Sequence, residues 1–274
     1  IHAHCAKWAG VAAREIAMRE GIPYYITEHL SSILYRKDFG QNWEQNPWAK
    51  DLIRQAMMEA RCVITVTDQL VDDLRPFFGD SYRHQTISNI VDVDYFKRPE
   101  SVAGQRDTLF RYVCLARADV YGKGYDVLAE AVKGDWLKRH HAQLHIAGRG
   151  TAKLRRMFPQ AEVIIHGNLN KEGVRDLLWQ SDALVFATRC EAQGLVLLEA
   201  MCNGIPIVTT DAVPQHNQTM DACMTVPVGD AGALSVAMEK VQQIERNAVW
   251  VDKVTELAAP QSVAAKLEQL FAER

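Results

Sequence analysis

The chain has 274 residues, 48% hydrophobic and 24% charged, with a net charge of −3, enough apolar material for one large core or two modest ones. No basic block offers the electrostatic footprint of a nucleic-acid binder, and no apolar stretch approaches a membrane span or a signal-peptide pattern. Six cysteines, at 5, 62, 114, 190, 202 and 223, show no paired spacing, as expected of reduced thiols in a cytoplasmic protein.

Ile1 to His4 leads into a helical pattern over 6–19 that Gly21 and Pro23 close. Because the chain opens inside such a junction, it is expected to be a piece of a longer protein. Residues 24–27 read as a strand with Glu28 and His29 at its carboxyl end, where ligands gather in open α/β sheets. His29 could bind a sugar hydroxyl or move a proton; a hydrogen-bonded loop histidine is the plainer alternative. His4 lies at the preceding strand end, and His2-x-His4 without carboxylates is too little to assign a metal. Residues 31–46, with Tyr35, Arg36, Lys37, Asp38, Phe39 and Trp43, make a loop of a length that is usually functional or mobile.

Pro47 opens a helix to about Ala60. A strand over 63–66, a helix capped by Thr67 and ending near Gly79, and a strand over 85–87 follow. Asn89 and Asp92 are turn formers. Residues 97–107, with Pro99, Gly104 and no apolar periodicity, read as a linker between a partial domain over 1–96 and a second over 108–274.

The second domain restarts with a strand over 110–115, then Arg117 and Gly122-Lys123-Gly124 before a helix through Val132. Glycines let a backbone approach closely and the cations supply charge, a combination that suits a phosphate; two solvated surface cations are the plainer reading. A strand over 143–147 leads to Gly148-Arg149-Gly150. That Gly-x-Gly has no third glycine at the dinucleotide spacing and no acidic partner, which disfavours hydride transfer. A strand over 163–167 carries His166, and Asn170 is placed to cap a helix ending near Trp179.

Residues 188–210 are the most informative. After a buried strand over 183–187 come a polar turn with Gly194, a compact helix to about Met201, an Asn203-Gly204 stop and a strand over 205–209. The helix start aims free N–H groups and a positive dipole end above the sheet. Glu191 lies just before it, and Glu199 about one and a half turns inside, roughly 7 Å along the axis. Glu199 has apolar neighbours, and a buried charge needs donors, which sugar hydroxyls or a basic side chain would supply. The two carboxylates share one helix end, so they cannot flank a sugar as a glycosidase pair does. Asp211 to Asn217 forms a further loop, then come a strand over 223–226, a helix from Asp230 to about Arg246, and two closing helices.

The Glu-x7-Glu spacing in Glu191-Ala-Gln-Gly-Leu-Val-Leu-Leu-Glu199, continued by Ala-Met-Cys-Asn-Gly-Ile-Pro-Ile-Val208, resembles the signature of retaining glycosyltransferases of family 4. The resemblance implies an α/β fold of the GT-B type: two Rossmann-like domains with parallel sheets, the first incomplete here, and the cleft between them. It implies that Glu191 contacts the donor sugar, Glu199 the ribose hydroxyls, and Gln193 and the N–H groups of Gly194 and Leu195 the donor. Arg117 and Lys123 are similar to the family's diphosphate-holding pair, although Ala116 and Ala118 depart from its glycine-rich pattern. Gly148 and Arg149 resemble its nucleotide loop, His29 its strand-end histidine, and Asn89 to Phe96 its interdomain crossover, and in that frame His4 is read as acceptor-side surface. The 211–217 loop departs from the family's Gly-Gly and Glu.

The implied catalytic set is His29, Arg117, Lys123 and Glu191, with no metal and no cofactor beyond the nucleotide-sugar substrate. The expected reaction is transfer of a sugar, with retention, to an acceptor hydroxyl in polysaccharide or glycolipid synthesis. A polysaccharide or lipid-linked acceptor and a cytoplasmic site at the inner membrane face follow from the family. A nucleotide-sugar epimerase or hydrolase, or a binding module without turnover, remain the alternatives.

Overall fold

The computed structural model describes residues 1–29, 47–79, 81–102, 108–117, 121–213 and 222–273. The expected aromatic loop over 31–46, Ala118, residues 103–107 of the linker and most of the 211–217 loop lie outside them. The chain divides into two compact units, 1–89 with 263–274, and 90–262. The division falls before the 97–107 stretch read as a linker, and the last residues join the first unit rather than the second.

In the first unit β1 (His2–His4), β2 (Tyr25–Glu28), β3 (Cys62–Thr65) and β4 (His84–Thr86) form a parallel sheet in sequence order. Every residue of β2 and β3 is buried, as parallel strands covered on both faces require. Helices Val11–Glu20, Pro47–Glu59 and Asp68–Phe78 make the crossovers. Thr67 caps the last of these by accepting from Leu70 N at 3.2 Å. Val263 and Leu270, on the helix Pro260–Ala272, pack with Tyr25, Cys62 and Ile64. The helix expected over 6–19 is interrupted: 6–10 is a π-type turn with Lys7 off helical dihedrals, and the α-helix starts at Val11. Cys5 there has φ 72°, and the buried Glu28 carboxylate accepts from Ala6 N at 2.8 Å.

The second unit holds β5 (Phe110–Leu115), β6 (Ala142–Ala147), β7 (Val163–Gly167), β8 (Ala183–Phe186), β9 (Ile207–Thr210) and β10 (Cys223–Val226), all parallel. Their spatial order, β7-β6-β5-β8-β9-β10, is the doubly wound order with its reversal between β5 and β8. Alternation sends Tyr112 and Val113 to opposite faces. Tyr112 packs with Leu128, Leu144 and Met238, and Val113 with Leu178, Leu197 and Trp250. β9 starts two residues later than expected because Pro206 has no N–H for the ladder; its carbonyl still accepts from Leu184 N at 3.0 Å. The helix expected to reach Arg246 stops at Val241. The turned chain lets Gln242 donate to Tyr112 Oη at 3.0 Å and Arg246 to Asn203 O at 3.0 Å.

Leu128 is fully buried in the larger core. Leu128→Ala should lower the stability of this unit by about 2–5 kcal/mol, read as a lowered midpoint in urea unfolding; an unchanged midpoint would contradict the packing.

Candidate functional site

The reversal between β5 and β8 leaves a crevice at the strands' carboxyl ends, where open α/β sheets bind ligands. A cavity of about 670 Å³ lies there, lined by Arg117 after β5, Gly148 after β6, Asn168 after β7, and Phe186 and Glu191 from β8 and its loop. A larger cavity, about 1050 Å³, opens at the opposite end of the sheet beside Phe110, Arg111 and Asp182. Despite its size, the larger cavity sits at the amino ends of β5 and β8, so the smaller one is the candidate.

Two loops meet over that crevice. Lys123 Nζ lies 2.7 Å from Glu191 Oε2, and both side chains are mostly covered. The ammonium also lies 5.2 Å from the Phe186 ring centroid, and the other Glu191 oxygen accepts from Ala192 N at 3.2 Å. The pair is held by its backbone: Arg189 N donates to Gly122 O at 2.7 Å and Thr188 Oγ1 to the same carbonyl at 3.0 Å. Arg189 then forks onto Asp126 at 2.8 and 2.6 Å, with its guanidinium 4.0 Å from the Tyr121 ring centroid. That bidentate bond holds the Asp126 carboxyl below its ordinary range.

Glycine is required at two points of this frame. Gly124 has φ 66°, and a Cβ there would sit 1.8 Å from Ala187 O. Gly148 has φ 147°, and its Cβ would sit 1.9 Å from Ala116 O. Both contacts are with backbone, which cannot step aside, so the loops can close this tightly only because these positions lack side chains.

Glu199 is the fifth residue of the helix Leu195–Met201, which starts at Gly194 with φ 75°. Among the described residues its carboxylate has no hydrogen bond or ion pair. Burial pushes its pKa up to about 7, against the opposing field of Lys171. Lys171 also lines the cavity and bonds Asp92 Oδ2 at 3.2 Å while lying over the Tyr95 ring. The lining therefore presents Arg117, Lys123 and Lys171 with Glu191 and Glu199, a mixed set suited to a ligand carrying both anionic groups and hydroxyls.

Of the residues singled out in the sequence, Arg117, Lys123, Gly148, Glu191, Gly194, Leu195 and Glu199 all line this cavity. Arg149 is exposed and Gln193 buried, and neither is in the lining. His166 is also outside it and pairs with His145 at 3.0 Å. Phe96, Asn168, Leu169 and Lys171 were not anticipated as lining residues; the cap Asn170 marked a helix start after β7, the position from which Lys171 reaches the crevice.

His4 and His29 belong to the first unit and meet there: His4 Nδ1 lies 2.8 Å from His29 Nε2. Burial, then the neighbouring His4, holds His29 below its ordinary pKa. Burial likewise lowers His2, whose Nε2 lies 2.6 Å from Thr27 Oγ1. Among the described residues no group of three or more His, Cys, Asp or Glu is arranged to hold a metal, and no helix is long and apolar enough to cross a membrane.

Comparison with known proteins fits this geometry. A family model described as Glycosyl transferases group 1 matches residues 110–243, and one described as Glycosyltransferase Family 4 matches residues 1–95. A Bacillus subtilis (strain 168) protein named as a teichuronic acid biosynthesis glycosyltransferase, TuaC, is 24% identical over 217 residues, covering 77% of this chain and 52% of its own. The chain thus spans about half the length of this curated relative. Among solved structures, sucrose-phosphate synthase from Thermosynechococcus elongatus superposes with a TM-score of 0.81 at 17% identity, covering 99% of this chain and 72% of its own. An Anabaena protein, HepE, in complex with UDP and glucose gives a TM-score of 0.76 at 15% identity, covering 98% and 76% respectively. A UDP-forming trehalose-phosphate synthase from Burkholderia xenovorans gives 0.73 at 14% identity, covering 99% and 73%. Two different glycosyltransferase models thus match separate stretches of the chain, and its two parallel-sheet units have the GT-B fold of these solved structures.

Proposed function

We propose that the second unit binds a nucleotide-sugar donor and that the protein transfers its sugar, with retention, to an acceptor hydroxyl. The observation that carries this reading is the Lys123–Glu191 pair, locked by the 121–124 and 187–191 loops over a cavity at the sheet reversal. A breaking glycosidic bond builds negative charge on the departing diphosphate. Cations already in place stabilise such charge without reorganising when it forms. Lys123 and Arg117 are assigned that role, with Gly148 leaving room for a phosphate to approach the backbone. Glu191 is assigned to the donor sugar and Glu199, whose carboxylate lacks a donor among the described residues, to the ribose hydroxyls.

Retention rests on the Glu-x7-Glu resemblance. Because the chain's own cations meet the diphosphate, the reading needs no metal, and transfer should persist in a chelator. TuaC's name and the UDP and glucose in HepE favour a hexose donor and a cell-surface polysaccharide as product. Such a donor would be used in the cytoplasm, at the inner face of the membrane where a lipid-linked or growing polysaccharide is reached, and the six free thiols suit that compartment.

A thermal-shift panel of UDP, GDP, ADP and their sugars tests the donor site. The true donor's nucleotide should raise the midpoint with concentration, as binding linkage requires. Lys123→Ala should weaken that nucleoside diphosphate by about 10–100-fold, the loss of one charge-assisted bond, and weaken the monophosphate less. Equal weakening of both would remove Lys123 from the diphosphate.

Glu199 supplies a pH test. Its folded carboxyl sits near 7 against an ordinary 4.5, so the folded chain binds the proton more tightly than the unfolded one. The resulting stability is fully present below the ordinary value and is lost as pH rises through about 7. Glu199→Gln should therefore match the parent in acid and melt higher than it above neutrality; parallel melting profiles from about pH 5 to about pH 8 would contradict the buried carboxylate.

A further inference from the structure

Lys171 stands where helix electrostatics disfavour it. It is the first residue of the helix Lys171–Gln180, directly after the cap Asn170. That end of a helix carries the positive pole of its dipole and favours anions. The cap is made without the lysine, since Asn170 Oδ1 accepts from Gly173 N at 2.8 Å. A cation kept there needs something else to hold it.

The holder is the short helix Val93–Phe96. Asp92 caps it, with Oδ1 accepting from Tyr95 N at 3.3 Å, and its other oxygen lies 3.2 Å from Lys171 Nζ. The same ammonium lies 4.2 Å from the Tyr95 ring centroid and 5.8 Å from that of Phe96. Arg175, one helical turn on, lies 4.8 Å from the Tyr95 ring centroid and 4.5 Å from that of Trp179. Trp179 Nε1 then donates to Phe96 O at 2.8 Å. The two helices are fastened along this row of cations and rings, and Lys171 is the end of the row that reaches the cavity.

Its place in the lining separates it from the other two cations. Arg117 follows β5, and Lys123 pairs with Glu191 at the reversal between β5 and β8. Lys171 follows β7, two strands or about 10 Å across the sheet from β5. Glu199, assigned to the ribose, lies in its field. A donor whose diphosphate meets Arg117 and Lys123 and whose ribose meets Glu199 therefore carries its base toward Lys171. An ammonium offers three N–H donors and no acceptor. Uracil and guanine present carbonyl oxygens, whereas adenine has an amino donor in place of the guanine carbonyl. We propose that Lys171, held by Asp92 and Tyr95, donates a hydrogen bond to a carbonyl of the donor's nucleobase and so selects a uracil or guanine nucleotide over an adenine one. A site built to hydrogen-bond one group rejects the analogue that lacks it. Lys171 is the residue that touches the base, through the tip of its side chain, and Asp92 and Tyr95 are positioning residues. The inference rests on the nucleotide-sugar reading for the identity of the ligand.

The test is titration calorimetry of UDP, GDP and ADP, with the matching monophosphates, on the full chain and on Lys171→Met, Lys171→Arg and Asp92→Asn. The parent should bind UDP or GDP more tightly than ADP. Lys171→Met should weaken that nucleotide about tenfold, the loss of one bond from a charged donor. It should weaken the monophosphate by the same factor and leave ADP unchanged. Lys171→Arg, which keeps a cationic donor, should retain the preference. Asn caps a helix as well as Asp does, so Asp92→Asn should keep the fold, release the lysine and lose part of the same preference. A folding defect would weaken every nucleotide alike, so the preference among bases is the decisive readout. Tighter binding of ADP by the parent, equal weakening of all three by Lys171→Met, or a diphosphate weakened more than its monophosphate would each overturn the proposal. An unchanged preference in Asp92→Asn would remove Asp92 from it. A parent that binds no nucleotide would contradict the donor reading itself, a result distinct from bound nucleotides that ignore Lys171.

Discussion

The carbonyl of Gly122 accepts from Arg189 N and Thr188 Oγ1, and that junction holds two loops far apart in sequence at one place above the sheet. The Lys123–Glu191 pair depends on it. A mostly covered ion pair is favourable only when its geometry is good and its remaining polar capacity is met. Here the loop backbones set the geometry, Arg189 and Asp126 reinforce it from the outside, and Ala192 N meets the second Glu191 oxygen. The glycine at 124 is part of the same constraint, since any side chain there would strike the Ala187 carbonyl.

The sheet places this junction where it can act. Parallel strands must return by crossovers, and a crossover direction that reverses once leaves an uncovered crevice at the reversal. Arg117, Gly148 and Glu191 leave three different strands yet line one cavity because those strands, β5, β6 and β8, are neighbours around that point. Glu199 enters from the helix behind. Its carboxyl, held near 7 by burial, contributes nothing to fold stability as an anion, a cost that the proposed hydrogen bonds to a ligand's hydroxyls would offset.

Much of this was legible in the sequence. Strands such as Phe110–Leu115 and Ala183–Phe186 lie where apolar runs bounded by turn residues put them, because a strand buried on both faces has little freedom in composition. Caps at Thr67 and Asn170 were readable for the same local reason. The order of the strands was not, since alternation of strand and helix is the same for many orders. Lys171 and Phe96 could not be tied to the site without that order. Gln193, between the two motif glutamates and next to Gly194, turns inward instead of into the cavity, a choice made by the turn and invisible in spacing. The interruption at 6–10 came from a tertiary contact, Glu28 on Ala6 N, and the pairing of His4 with His29 from the register of β1 on β2.

The most direct test of the account is where a nucleoside diphosphate sits. In backbone chemical-shift mapping of the chain titrated with the nucleotide that binds, the account predicts perturbations confined to the carboxyl ends of β5, β6 and β8, at Arg117, Lys123, Gly148 and 191–199. Perturbations gathered instead around Arg111, Asp182 and Arg246, at the larger cavity on the opposite end of the sheet, would contradict it.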